Sequence, residues 1–342
     1  MAATLKDVAL AAGVSIKTVS NVINDYQHIR ADTKQRVMEA ISELGYSPNL
    51  SARSLRSGKT GVIGLAVPEL SLSYFAELAD SIIKAAERRG LKVLIEQTGG
   101  DRAHELEILS SPRLQMTDGL LFSPLGMANE DAHYLNVNFP LVLLGERIFG
   151  GPTDHVTMSN VESARAATAH LISKGRRRIA VVGGHRGEVI GSAGLRLRGY
   201  QQALEEAGIP FDPALVAYTT FWHRANGATS MRELLESGVA FDAMFGMNDT
   251  LALGAMRVLQ EAGRRIPDDV AVIGFDDLDE GRYSLPTLST IDPGRVEIAD
   301  TAVRVLQERI SRRDSDAAPR EFEARFEVIE RESSQLPGER RP

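Results

Sequence analysis

The chain opens with helical periodicity and changes to short apolar runs after about residue 60. Across residues 4–24, TLKDVALAAGVSIKTVSNVIN, Leu5, Val8, Ala9 and Ala12 fall on one helical face. Thr4 and Asp7 stand at capping-box spacing, which predicts a helix start. Gly13 permits a sharp turn. Ser15 can cap a second helix that buries Val19, Val22 and Ile23. A third helix is predicted, capped by Asp32 or Thr33, with Val37, Ile41 and Leu44 inside and Gly45 as its stop. Residues 49–57, NLSARSLRS, have room for two helical turns. A helix that short is marginal alone because nucleation is costly. The stretch is therefore expected to be flexible when free and helical when docked.

From Gly61 the pattern changes. GVIGLAV, KVLIEQT, DGLLFS and PLVLLG are continuous apolar runs, as buried parallel strands require. Helical periods at 74–90 and 103–114 lie between them. RIAVVGG, LVAY, AMFG and VAVIGF form a second strand series, with helices predicted at 163–174, 197–207, 227–237 and 249–262. Two series of βα units predict two doubly wound α/β lobes. Ligands of such sheets sit outside the carboxyl ends of the strands, so a small molecule is expected in the cleft between the lobes. Residues 335–342 are a polar tail, and RESSQLPGERRP shows no leucine heptads.

Composition adds a polarity to this plan. The 342 residues suit two or three domains, and 43% hydrophobic with 25% charged is ordinary for a soluble globular protein. Net charge is −7, which alone argues against nucleic acid. Its distribution reverses that. Residues 1–60 carry eight Lys/Arg against five Asp/Glu, leaving 31 against 41 for the remainder. A basic head on an acidic body is expected where only one end meets phosphate. No cysteine is present and the seven histidines show no metal-ligand spacing. VVGGHRGEVIG lacks the GxGxxG spacing of a dinucleotide loop. No cofactor is therefore expected. No apolar run approaches the roughly 18 residues of a membrane span, and no secretory leader is visible, so a cytoplasmic protein without a membrane partner is expected.

The two opening helices have the form of a DNA-reading helix-turn-helix whose second helix enters the major groove. Residues 4–24 resemble the opening of the lactose-repressor (LacI/GalR) family of bacterial transcription regulators. The resemblance continues through GYSPNLSARSLRSGKTGVIGLAVP and, more loosely, to about Glu330. It implies a helix-turn-helix head at 1–48 and a hinge helix at 49–59. It also implies a periplasmic-binding-protein-like effector domain at 60–334. The chain should cross between lobes near residues 159–161, 290–293 and 320–323. The first lobe is then about 61–160 with 292–321, and the second about 161–291 with 322–334. The expected DNA contacts are Thr4, Ser15, Ile16, Lys17, Thr18, Ser20, Asn21 and Asn24, with Arg53, Leu55 and Arg56 in the hinge. Many members carry Arg where this chain has Asn21. Leu55 matches the residue that wedges between base pairs, a role that offsets unstacking with better wrapping.

Carried over position by position, the resemblance implies an effector site of Tyr74, Phe75, Phe122, Ser123, Glu146, Arg196, Trp222, Asn248 and Asp276. Gly145 stands where many relatives have Asp, so a sugar hydroxyl contact is either lost there or taken over by Glu146. Arg, Asn and Asp with a stacking aromatic suit a sugar or sugar derivative. The expected protein is not an enzyme, since no nucleophile–base pair is visible. It is a transcription regulator, most simply a repressor, binding a palindromic double-stranded operator as a homodimer under control of a small molecule. The rival reading, a solute-binding protein for sugar transport, leaves residues 1–58 without a role.

Overall fold

The computed structural model describes residues 3–23, 26, 28–46, 59–111, 116–311 and 317–335. Asn24, Arg53, Leu55, Arg56 and the expected hinge helix lie outside them. Residues 1–60 and 61–342 are separate compact units.

Three helices of the first unit are described: Leu5–Ala12, Ile16–Ile23 and Ala31–Glu43. The Thr4–Asp7 capping box is formed, with Asp7 N donating to Thr4 Oγ1 at 3.3 Å and Thr4 N to Asp7 Oδ2 at 2.8 Å. Gly13 takes φ +65°, the left-handed conformation that a tight helix exit favours in glycine. Val8, Ala9, Ala12, Val19, Val22, Val37, Ala40 and Tyr46 make the core. The third helix departs from expectation. It starts after Arg30, with no side-chain cap from Asp32 or Thr33. Its inner face is Val37 and Ala40, while Leu44 is 41% exposed. Tyr46, just past the helix, joins the core instead.

The second unit holds two parallel sheets. One runs Glu321–Ala324, Asp154–Met158, Leu141–Leu144, Leu120–Phe122, Val62–Val67, Lys92–Gln97. The other runs Val216–Tyr218, Ile179–Gly184, Ala243–Gly246, Ala271–Ile273. All neighbouring strands within each sheet are parallel. Between them Thr290–Asp292 pairs antiparallel with Glu327–Ile329. Strand Asp154–Met158 has no apolar run to announce it. Its polar members are buried because each has a partner. Asp154 receives Arg309 Nε at 2.7 Å and Arg320 Nη2 at 3.1 Å, and His155 Nε2 lies 2.5 Å from the Gly145 carbonyl oxygen. Those arginines hold Asp154 down at about 2 although burial pushes the other way. Helix Arg295–Ser311 also went unpredicted, and it packs beside helix Ser73–Glu87. The first sheet keeps the chain to Ala324, beyond the crossing expected at 320–323, because Glu321–Ala324 pair in register with His155–Met158. Among the described residues no helix is long and apolar enough to cross a membrane.

Two helices of the second lobe touch backbone to backbone. A Cβ on Gly254 would lie 2.0 Å from the Arg224 carbonyl oxygen, and one on Gly227 would lie 2.2 Å from that of Leu251. Alanine at 254 gains roughly 1 kcal/mol of helix propensity. The clash is with backbone that cannot rotate away, and overpacking of this kind costs roughly 1–3 kcal/mol. Gly254→Ala should therefore lower the denaturation midpoint of the second unit. An unchanged or raised midpoint would mean the helices can part at no cost.

Candidate functional site

In the first unit three successive residues at the start of helix Ile16–Ile23, Ser15, Ile16 and Lys17, are exposed. Ser15 Oγ accepts from Thr18 N at 3.1 Å and lies 2.9 Å from Thr18 Oγ1, so these two hydroxyls hold the turn. Ile16 is 46% exposed and Lys17 is exposed beside it. Thr18, Ser20 and Asn21 are half-buried, and Thr4 is exposed at the first helix start. A branched apolar residue held in solvent next to a lysine is unexplained by the core, and both can meet an external partner.

In the second unit a cavity of about 390 Å³ opens at the carboxyl ends of both sheets. Eight of the nine expected residues line it: Tyr74, Phe75, Ser123, Glu146, Arg196, Trp222, Asn248 and Asp276. Phe122 does not. Side chains alternate along a strand, so Ser123 turns to the cavity while Phe122 turns into the apolar cluster with Ile108, Leu120 and Leu143.

Arg196 forms the floor. Its Nε donates to Asn160 Oδ1 at 2.8 Å, its Nη1 to the Met247 carbonyl, and its Nη2 lies 4.0 Å from Asp276 Oδ1. The guanidinium stacks 3.5 Å from the Phe275 ring centroid and 5.2 Å from that of Trp222. Trp222 is fixed by its own N–H, which donates to the Gly183 carbonyl at 2.9 Å. Asn248 is less free than its position suggests. Its Oδ1 accepts from Leu251 N at 2.7 Å as the cap of helix Asp249–Glu261, and its Nδ2 donates to the Trp222 carbonyl at 3.3 Å. Asp276 is 3% exposed and holds φ +114°, a strained conformation outside glycine. Arg295 Nη1 donates to its carbonyl at 2.7 Å. Burial pushes the Asp276 carboxyl up to about 7, against Arg196 and Arg295 and with help from Glu146 and Glu77. Glu146 is also buried. It accepts from Ser192 Oγ at 2.8 Å, a bond from one lobe to the other.

Sequence reasoning missed a second polar group. His185, Glu188 and Ser192 line the cavity with Arg147 and Thr157. The loop holding His185 and Glu188 carries no dinucleotide spacing. It follows strand Ile179–Gly184 at its carboxyl end, and that position was the available signal. The rim is polar too. Ser73 Oγ donates to Glu280 Oε1 at 2.6 Å, Asp279 N to Glu77 Oε1 at 3.1 Å, and His223 Nε2 lies 3.4 Å from Glu69 Oε2.

Residues 4–49 match the model of bacterial regulatory proteins of the lacI family, and residues 168–334 match that of a periplasmic binding protein-like domain. A putative transcriptional regulator of the LacI family from Sanguibacter keddieii is 50% identical, over 80% of this chain and 98% of that one, with a TM-score of 0.75. The transcriptional regulator CelR, solved with cellobiose, is 31% identical over 97% of this chain and 99% of its own, at 0.71. The chain belongs to the LacI family. The lac repressor dimer bound to operator and the anti-inducer ONPF is 28% identical over 98% and 100%, with a TM-score of 0.82. This LacI-family chain is accordingly a DNA-binding transcription regulator and not an enzyme. The family's architecture, a helix-turn-helix followed by a two-lobed domain with parallel sheets, is that described above. Among the described residues no cluster of His, Cys, Asp or Glu could hold a metal ion.

The Asp276 carboxyl makes a pH prediction. A ligand hydroxyl donating to it needs the ionised form. With Asp276 near 7, the carboxylate fraction falls about tenfold between pH 8 and pH 6, and the affinity of a hydroxyl-donating ligand should fall by about the same factor. Asp276→Asn should bind more weakly at pH 8 and lose most of this dependence. Titration calorimetry at the two pH values measures both, and a steep profile kept by the Asn variant would exclude Asp276 as its source.

Proposed function

We propose that this regulator is a repressor that binds a palindromic operator as a homodimer, controlled by a sugar in the interlobe cavity. The observation that carries the reading is the cavity. Its size suits a mono- or disaccharide, Trp222, Tyr74 and Phe75 offer apolar faces, and Asp276, Glu146 and Ser123 converge as polar groups. The cellobiose bound by CelR supports the same class of ligand here.

On the DNA side, Ile16, Lys17 and Asn21 are assigned to bases, with Thr18 and Ser20 toward phosphates and Thr4, Ser15 and Asn24 as further contacts. A short recognition helix reads few bases, and two symmetric half-sites double that readout. Residues 49–59 act as the hinge, with Arg53 and Arg56 on the backbone and Leu55 as the wedge. The domain limits are those expected above, with the first lobe carried on to Ala324. Sugar binding shifts operator affinity only through its different affinity for the two states of the protein.

Two experiments test this. Removing residues 1–60 should abolish operator binding and leave sugar binding within about twofold, since the second unit is compact by itself. Operator binding by the truncated chain in a gel-shift or fluorescence assay would refute the assignment of the head. Leu55→Ala should weaken specific operator binding by roughly tenfold or more and leave binding to random DNA nearly unchanged. Equal losses on both DNAs would remove the wedge.

A further inference from the structure

The cavity's cations are arranged against one particular kind of ligand. Helix Ser192–Glu206 begins at the cavity, and the first N–H groups of a helix are a ready site for phosphate. Here they are taken. Glu188 Oε1 accepts from Ala193 N at 3.1 Å and from Gly194 N at 3.3 Å. Glu188 Oε2 lies 3.1 Å from Arg147 Nη1 and 2.9 Å from His185 Nδ1. One internal carboxylate thus occupies two backbone donors, a guanidinium and an imidazole, the set of donors a phosphate group would use. Burial pushes this carboxyl up, but His185 and Arg147 outweigh it and hold it below the usual range, so it is ionised. The turn is built around it. Gly191 takes φ +117°, and a Cβ there would lie 2.5 Å from Glu188 Oε1 and 2.8 Å from Arg147 Nη1.

We propose that Glu188 is a specificity residue that closes the cavity to phosphorylated and other anionic effectors and leaves it to uncharged polyols. This rests on the cavity being the effector site. The other guanidinium in the lining, Arg196, gives its Nε to Asn160 and its Nη1 to Met247, and its Nη2 lies between Met158 Sδ at 3.5 Å and Asp276 at 4.0 Å, which balances its charge. The helix start at Asp249 is closed by Asn248. Glu146 and Asp276 add carboxyl groups to the lining, which suit hydroxyl donors and, when ionised, repel a second anion.

The test uses the full chain, with calorimetric titration and thermal shift. The probes are free hexoses and disaccharides, the corresponding hexose 6-phosphates, and inorganic phosphate. Wild type should respond to none of the phosphate-bearing probes at millimolar concentration. Glu188→Ala frees Arg147, His185 and the two N–H groups and should gain affinity for inorganic phosphate by about tenfold or more, while Glu188→Gln removes the charge that holds Arg147 and His185 but keeps one acceptor oxygen, and should show a smaller gain. Adding Arg147→Ala should cancel the gain. A cooperative thermal transition checks folding, and the Gln variant, which keeps the shape of the side chain, decides if the Ala variant does not fold. Wild type binding a hexose 6-phosphate as tightly as the free hexose would overturn the proposal. So would a folded Gln variant with no gain for phosphate. If no free sugar shifts wild type but the variants capture phosphate, the role of Glu188 stands and the sugar reading falls.

Discussion

The cavity depends on one buried cation. The Arg196 guanidinium ties together parts of the chain that are far apart in sequence. Asn160 and Met158 lie where the chain leaves the first sheet, Met247 ends one strand of the second, and Phe275 follows another. A buried charge is costly unless its donors are satisfied, and truncating one member of a buried pair typically costs roughly 3–5 kcal/mol. That cost explains why so many backbone and side-chain acceptors converge on one residue. It also fixes the geometry around it. Trp222 and Phe275 stack on the guanidinium, and Asp276 is held beside it in a conformation that few residues tolerate.

Around this floor the same constraint recurs: polar groups placed at the ends of parallel strands must be paired before a ligand arrives. Asn248 closes a helix start, Glu188 closes another, and Glu146 bonds across to Ser192. The walls are held more tightly still. Gly227 and Gly254 let two helices meet through their backbones, so the second lobe has little freedom to deform. Change of shape is then concentrated where the lobes meet.

Much of this was legible in the residues. Continuous apolar runs located eight strands, and the carboxyl-end rule placed the cavity. The position of Tyr74, Glu146, Arg196, Trp222 and Asp276 came from the resemblance, since nothing in periodicity marks an arginine as a floor. Phe122 shows how such a transfer fails: one step along a strand reverses the side a residue faces. Strand Asp154–Met158 was invisible because its buried polar side chains depend on Arg309 and Arg320, which lie more than 150 residues away in sequence. The helix at Arg295–Ser311 presents a mixed face, with six buried residues among charged ones, and it was passed over. Asn248 was read for its chemistry when its place before DTLALG also marked a helix cap.

The rim contacts separate how fast a ligand exchanges from how tightly it is held. Ser73 with Glu280, Glu77 with Asp279 and Glu69 with His223 are solvent-facing contacts between the lobes. A hydroxyl, a backbone N–H and an imidazole meet carboxylates there, and exposed contacts of this kind are worth only about 0–1 kcal/mol each. The floor groups are buried and are screened much less. Opening the rim therefore costs little, so a ligand exchanges there, while the strength with which it is held follows the buried floor.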